Sequence, residues 1–246
     1  MPPTERSLGA LRKQMGFQDA EGVGARLERW CADGALGWAF DNVEDSISLS
    51  DRFIGFDMTD FLENAEIRTP VMMYMFHRID ALLEGRRLVI DIDEFWKALG
   101  DNAFKAFAQD GLKTYRKRNA CLVFGTQSPA DALRSSISHS IIEQVATKIL
   151  LPNPNGAEKD YCDGLGLTKA EFRLIREELT PESRSFLIKQ GHVSVVATLD
   201  LSGMGDELAV LSGRAETLEV MEAAIAAHGS SPSDWLPHFY QHHRVS

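Results

Sequence analysis

From Arg87 to Trp96 the chain reads Arg-Leu-Val-Ile-Asp-Ile-Asp-Glu-Phe-Trp, a block of β-forming apolar residues bounded by charge and followed by helical spacing. The pattern predicts a buried parallel strand whose C-terminal end presents Asp93 and Glu94. A second apolar run, Cys121-Leu122-Val123-Phe124, stops at Gly125-Thr126-Gln127-Ser128-Pro129. Ser-Pro opens a helix there and leaves Thr126 and Gln127 as a polar tip. Residues 147–151 give a third strand, halted by Pro152-Asn153-Pro154. Helical patterns separate the three: one passes through Phe104, Phe107, Leu112 and Tyr115, the other covers 138–146. Such alternation predicts an α/β fold with a parallel sheet flanked by helices and right-handed crossovers.

The flanks follow other periods. Leu8, Leu11 and Met15, then Leu27 and Trp30, predict two short helices in a small helical segment over 1–45, with 46–246 forming the main body. Trp38 and Phe40 suggest an aromatic strand or a docking loop, and 47–49 and 53–56 read as two short β-runs. Thr69-Pro70 looks like a cap followed by proline at the first helical position. Met72, Met75, Phe76, Ile79, Leu82 and Leu83 then recur at three and four residues, an apolar face suited to packing on a sheet. Thr168-Lys169-Ala170-Glu171 is a capping box. Residues 185–199 read as an antiparallel hairpin turning near Gly191, and 203–214 and 217–228 as helices ahead of an aromatic tail.

Composition narrows the picture. With 246 residues and 44% hydrophobic content the chain can bury a full core. A net charge of -10 and a pI near 5.2 give no support to nucleic-acid binding by charge alone. Cys31, Cys121 and Cys162 are odd in number and lack zinc-site spacing, which predicts free thiols in a reducing compartment. With no apolar run of about 18 residues and no secretory leader, a soluble, intracellular chain is expected.

The candidate chemistry gathers at the strand ends, where open α/β sheets collect ligands. Asp93-Glu94 has the form of a Walker B pair, in which the first carboxylate holds Mg²⁺ and the second polarises a water; Asp93 is equally placed to cap the next helix. Gln127 could sense a γ-phosphate or satisfy loop carbonyls, and Thr126 sits beside it. The cluster Lys113-Thr114-Tyr115-Arg116-Lys117-Arg118 either complements a helix dipole or meets phosphates. His238, His242 and His243 could ligate a metal or form a solvated end.

Four phrases, residues 88–99, 124–135, 186–190 and 199–214, resemble in order the C-terminal part of the CagE/TrbE/VirB family of type IV secretion (conjugative transfer) ATPases. Arg6-Ser7-Leu8 and Ile54-Gly55-Phe56-Asp57 extend the likeness over the whole chain. The resemblance implies a RecA-like, P-loop NTPase-type core with a C-terminal β-hairpin and helices, using ATP and Mg²⁺ to power pilus assembly and substrate transfer. It also implies a homo-oligomer in the bacterial cytoplasm, held at the cytoplasmic face of the inner membrane by other secretion components, with DNA as one possible cargo. By likeness Asp93 and Glu94 are the Walker B pair, Gln127 the residue after the second strand, and Arg184 and Arg214 the candidates for reaching a neighbour's nucleotide. Either arginine could instead pair with local acids such as Glu182 or Glu216.

One element of the family pattern is not in the sequence. A Walker A loop needs G-x-x-x-x-G-K-[ST], and no lysine here follows a glycine. The expectation is the C-terminal portion of a longer ATPase that does not bind or hydrolyse ATP alone; the alternative is a non-catalytic assembly or docking module.

Overall fold

The computed structural model describes residues 6–15, 19–83, 85–134 and 137–243. They fall into two compact units, the first comprising residues up to 148 together with 155–172, the second 149–154 and the chain from 173 onward.

The first unit opens with short helices α1 (Leu8–Met15), α2 (Val23–Leu27) and α3 (Gly37–Phe40). The Asp41 carboxylate ties them, accepting from the amides of Leu8 at 2.7 Å, Gly9 at 3.2 Å and Ala32 at 2.8 Å. Trp38 and Phe40 therefore lie on a helix rather than a strand. Residues 47–49 and 53–56 are irregular, not β; Phe53 is fully in solvent at 93% exposure, so it has no neighbour to pair with.

Next come α4 (Thr59–Glu63) and α5 (Ala65–Ala81). The sequence placed the start of α5 at Thr69-Pro70. Asn64 wins instead, its side chain accepting the Glu66 amide at 3.0 Å, and Ile67 extends the apolar face at 4% exposure. Pro70 thus sits inside the helix, where it removes one hydrogen bond.

Strands β1 (Leu88–Ile92) and β2 (Ala120–Phe124) pair in parallel, with Leu88 opposite Ala120 and Ile92 opposite Phe124. Between them run α6 (Phe95–Ala98) and α7 (Asn102–Thr114); α8 (Pro129–Leu133) and α9 (Ser138–Gln144) follow. Leu88, Ile90 and Ile92 of β1 and Leu122 of β2 face a core with Leu83, Phe107 and Tyr115, and Phe76 of α5 stacks on Phe107 of α7 at 3.8 Å. A second cluster joins Met72, Phe95, Phe104 and Ile141. The two strands are covered on one face only: Val89 is 70% exposed, and Asp91, Cys121 and Val123 also meet solvent. Burial on both faces, expected from the unbroken apolar run, is not found.

The third strand, β3 (Thr147–Leu150), does not extend this sheet. It lies beside the hairpin of β4 (Ser185–Gln190) and β5 (Val193–Thr198) in the order β3-β4-β5. A bare two-stranded hairpin is marginal, and a third strand on its open edge supplies the missing ladder. The hairpin has the expected register, Gln190 opposite Val193, with Gly191 in the turn at φ +58°.

Helix α10 (Lys169–Arg173) begins at the predicted capping box: Thr168 Oγ1 accepts from the Glu171 amide at 3.2 Å, and Glu171 Oε2 accepts from the Thr168 amide at 2.7 Å. In the second unit α11 (Gly205–Val210), α12 (Ala215–His228) and α13 (Pro232–His243) enclose Ala209, Ala224, Trp235 and Phe239. Trp235 and Phe239 of the aromatic tail are therefore core. Of the tail histidines, His238 stacks on His228 at 3.6 Å, and the side chain of His243 lies outside the described ones. Among the described residues no three His, Cys, Asp or Glu side chains are grouped to hold a metal ion, and no helix is long and apolar enough to cross a membrane.

Candidate functional site

The parallel pairing of β1 and β2 makes both strands end on the same side, and the ladder continues past them. The Gly125 amide donates to the Ile92 carbonyl at 3.0 Å, and the Phe95 amide donates back to the Gly125 carbonyl at 3.2 Å. The two polar tips are thereby locked together. A Cβ at 125 would stand 2.8 Å from Asp93 Oδ1, so any larger residue there would displace the Asp93 carboxylate.

Asp93 Oδ1 accepts from the Glu94 amide at 2.8 Å; Glu94, not Asp93, is the N-cap of α6 and no side chain caps that helix, so the capping alternative for Asp93 is not realised. Glu94 adopts the left-handed conformation, φ 46° and ψ 38°, immediately before α6. That turn aims its side chain across to the second tip, where Gln127 Nε2 donates to Glu94 Oε1 at 2.8 Å. Glu94 Oε2 forms an ion pair with Lys97, one turn along, and the Lys97 ammonium also lies 5.6 Å from the Trp96 ring centroid. The hydrogen bond to Glu94 pushes the Lys97 ammonium above its usual range. Thr126 Oγ1 donates to the Ser128 carbonyl at 3.0 Å, which shapes the loop into α8.

Asp93, Glu94, Thr126 and Gln127 are thus brought together by one pair of strands. Arg184 and Arg214 belong to the second unit. Arg184 is exposed at φ 51° just before β4, its carbonyl accepting from the Leu199 amide at 2.9 Å; Arg214 is exposed at the start of α12. Sequence reasoning missed two participants. Lys97 was legible from its spacing of three after Glu94 on a helix, and Gly125 from its place at a strand end.

Chemically the tip offers hard oxygen donors in water's reach. Mg²⁺ keeps several waters and takes one or two carboxylates plus substrate phosphates rather than a protein cage, so a single exposed aspartate fits it. Beside Asp93, a glutamate hydrogen-bonded directly to an amide puts a proton acceptor and a hydrogen-bond donor side by side at the tip.

A model of the TraG P-loop domain matches residues 16–222. The chain is 54% identical over 241 residues to the type IV secretion system protein virB4 of Bartonella quintana, covering 98% of this chain and 31% of that protein. It is 43% identical over 236 residues to virB4 of Brucella abortus, with 93% and 28% covered. Protein virB4 of Agrobacterium tumefaciens is 42% identical over 241 residues, with 98% and 30% covered. The chain therefore spans about a third of the length of these curated relatives. The solved structure of VirB4 of Thermoanaerobacter pseudethanolicus aligns with a TM-score of 0.60 at 22% identity, over 83% of this chain and 57% of that one, a likeness of fold.

Proposed function

The chain belongs to the TraG P-loop domain family, and from that premise we propose that it forms part of a type IV secretion ATPase and contributes the water-activating half of its nucleotide site. Bound MgATP would supply the phosphoryl group and the cation that offsets its charge. Asp93 would hold Mg²⁺ and Thr126 contact the nucleotide. Glu94 would accept a proton from the attacking water, and Gln127 would orient that water or report on the γ-phosphate. Arg184 and Arg214 would act in trans, reaching the nucleotide of a neighbouring subunit in an oligomer. The observation that supports the reading is the bridge from Gln127 to Glu94 across adjoining strand tips.

In this reading the complete protein drives pilus assembly and the transfer of DNA or protein. It would work at the cytoplasmic face of the inner membrane, where other secretion components hold it. Because no glycine-lysine pair occurs in these 246 residues, the phosphate cradle would come from the rest of the longer protein, and nucleotide titration of this chain alone should show no binding. The same observation favours a second reading, a non-catalytic docking module.

Mixing the chain with the remaining portion of a full-length relative separates the two. The ATPase reading expects hydrolysis in the mixture, its loss on Glu94→Gln, and a fall of about 10²-fold on Gln127→Ala. A stable mixed complex without hydrolysis would favour the docking module.

A further inference from the structure

Away from the acidic tip, the first unit holds a cavity of about 440 Å³ between α3, α5 and the loop that joins α3 to α4. Its walls include the aromatic side chains of Trp38, Phe40, Phe56, Phe61 and Tyr74. Trp38 leans on Phe61 at 6.2 Å, and Phe40 meets Tyr74 edge-on at 6.0 Å. Three lining residues, Glu44, Asp45 and Asp57, are acidic, and none is basic. The chain itself shows what such a surface attracts. Arg78 lies 5.7 Å from the Tyr74 ring centroid, pairs with Asp45 and donates to the Ile47 carbonyl at 2.8 Å.

We propose that this cavity is a docking site for a protein partner, taking an arginine or lysine side chain from a segment that also carries apolar residues. Arg78 pairs with Asp45, and although Asp57 Oδ1 accepts from the Thr59 amide at 3.0 Å, neither Glu44 nor Asp57 has an ion pair among the described residues, so the lining keeps two carboxylates without a countercharge. Residues 41–63 carry seven acidic side chains against one basic, Arg52. Ring faces beside carboxylates favour a cation, and a guanidinium or ammonium on an apolar stem fills both kinds of wall.

The surroundings favour a polypeptide over a small free cation. Trp38 is 58% exposed, and the bordering loop leaves Val43 and Phe53 almost wholly in water. Residues flanking the inserted cation can cover these side chains, giving an aromatic anchor inside a polar rim. A cavity of this size admits one or two long side chains, not a folded element.

The test uses a fluorescein-labelled decapeptide of alternating arginine and leucine, titrated into the chain and followed by anisotropy. Saturable binding is expected, weakened at least tenfold by Trp38→Ala and by Glu44→Gln with Asp57→Asn. The charge-matched pair Glu216→Gln with Glu219→Gln, in the other unit, should leave it unchanged. Should Trp38→Ala unfold the chain, the exposed Glu44→Gln change still decides the matter. Equal binding by all variants, or by a peptide with glutamate in place of arginine, would overturn the proposal. So would argininamide binding as tightly as the peptide, which would mark a small-cation site. A dimer in sedimentation that the Glu44 and Asp57 changes dissolve would overturn it in favour of a second copy of the chain.

Discussion

Glu94 is held in a conformation that a side-chain-bearing residue adopts at a cost of about 1–2 kcal/mol. Replacing it with alanine removes the bridge to Gln127 and the ion pair with Lys97 but keeps the Cβ; replacing it with glycine removes the strain as well. Glu94→Gly should therefore be more stable than Glu94→Ala by about 1 kcal/mol in urea unfolding, the reverse of their order within a helix. The opposite order would mean that position 94 is not left-handed in solution. Asp101 offers a second measurable residue. It is 3% exposed and accepts from the Ala103 amide at 2.8 Å, the Phe104 amide at 3.2 Å and the Thr69 hydroxyl, with Arg68 close by. Burial alone would raise its carboxyl, but the Thr69 hydroxyl, the two amides and Arg68 outweigh burial and hold it below the usual range. A folded-state value below the unfolded one, about 3.9, stabilises above that pH and is lost as pH falls through the folded value. Asp101→Asn should cost about 1–3 kcal/mol near neutrality, and the cost should shrink as the pH drops below about 4.

At the scale of elements, what the sequence made legible is what local chemistry decides. The strand ends at Asp93 and Thr126, the Thr168–Glu171 cap and the Gly191 turn need only neighbours along the chain, and each stands where the pattern put it. What escaped depends on distant partners. β3 has the same composition as an inner strand of a parallel sheet, yet it sits beside β4, a choice made by an edge that lies more than thirty residues away. The proximity of Glu94 to Gln127 followed from adjacency of two parallel strands, whereas the aromatic cavity is assembled from α3, α5 and a loop with no shared period. Helix α5 shows two local signals in competition. Thr69-Pro70 reads as a start, yet the Asn64 cap five residues earlier prevails because Ile67 then becomes core, leaving Pro70 without a backbone donor for the Glu66 carbonyl. Pro70→Ala should thus restore a hydrogen bond and raise stability by about 1–3 kcal/mol, read as a higher urea midpoint with an unchanged slope. A loss of stability would mean that the helix begins at Thr69 after all.

For the molecule as a whole, the informative surface is the uncovered face of β1 and β2. Val89 opposite Cys121 and Asp91 opposite Val123 form a patch of sheet in solvent, in a family whose curated relatives are about three times this length. Parallel strands occur almost only in sheets covered on both faces, so further chain from a full-length protein would be expected to close over this one. Cys121 lies within the patch and reports on that closure. Burial, followed by nearby carboxylates, pushes the half-buried thiols of Cys31 and Cys162 up and leaves less thiolate to react, so a maleimide should modify Cys121 first in this chain. In a full-length protein carrying this sequence, Cys121 should react at least about tenfold more slowly, since cover removes access without touching the other two thiols. Equal Cys121 rates in the two proteins would mean that the face stays open in the complete molecule.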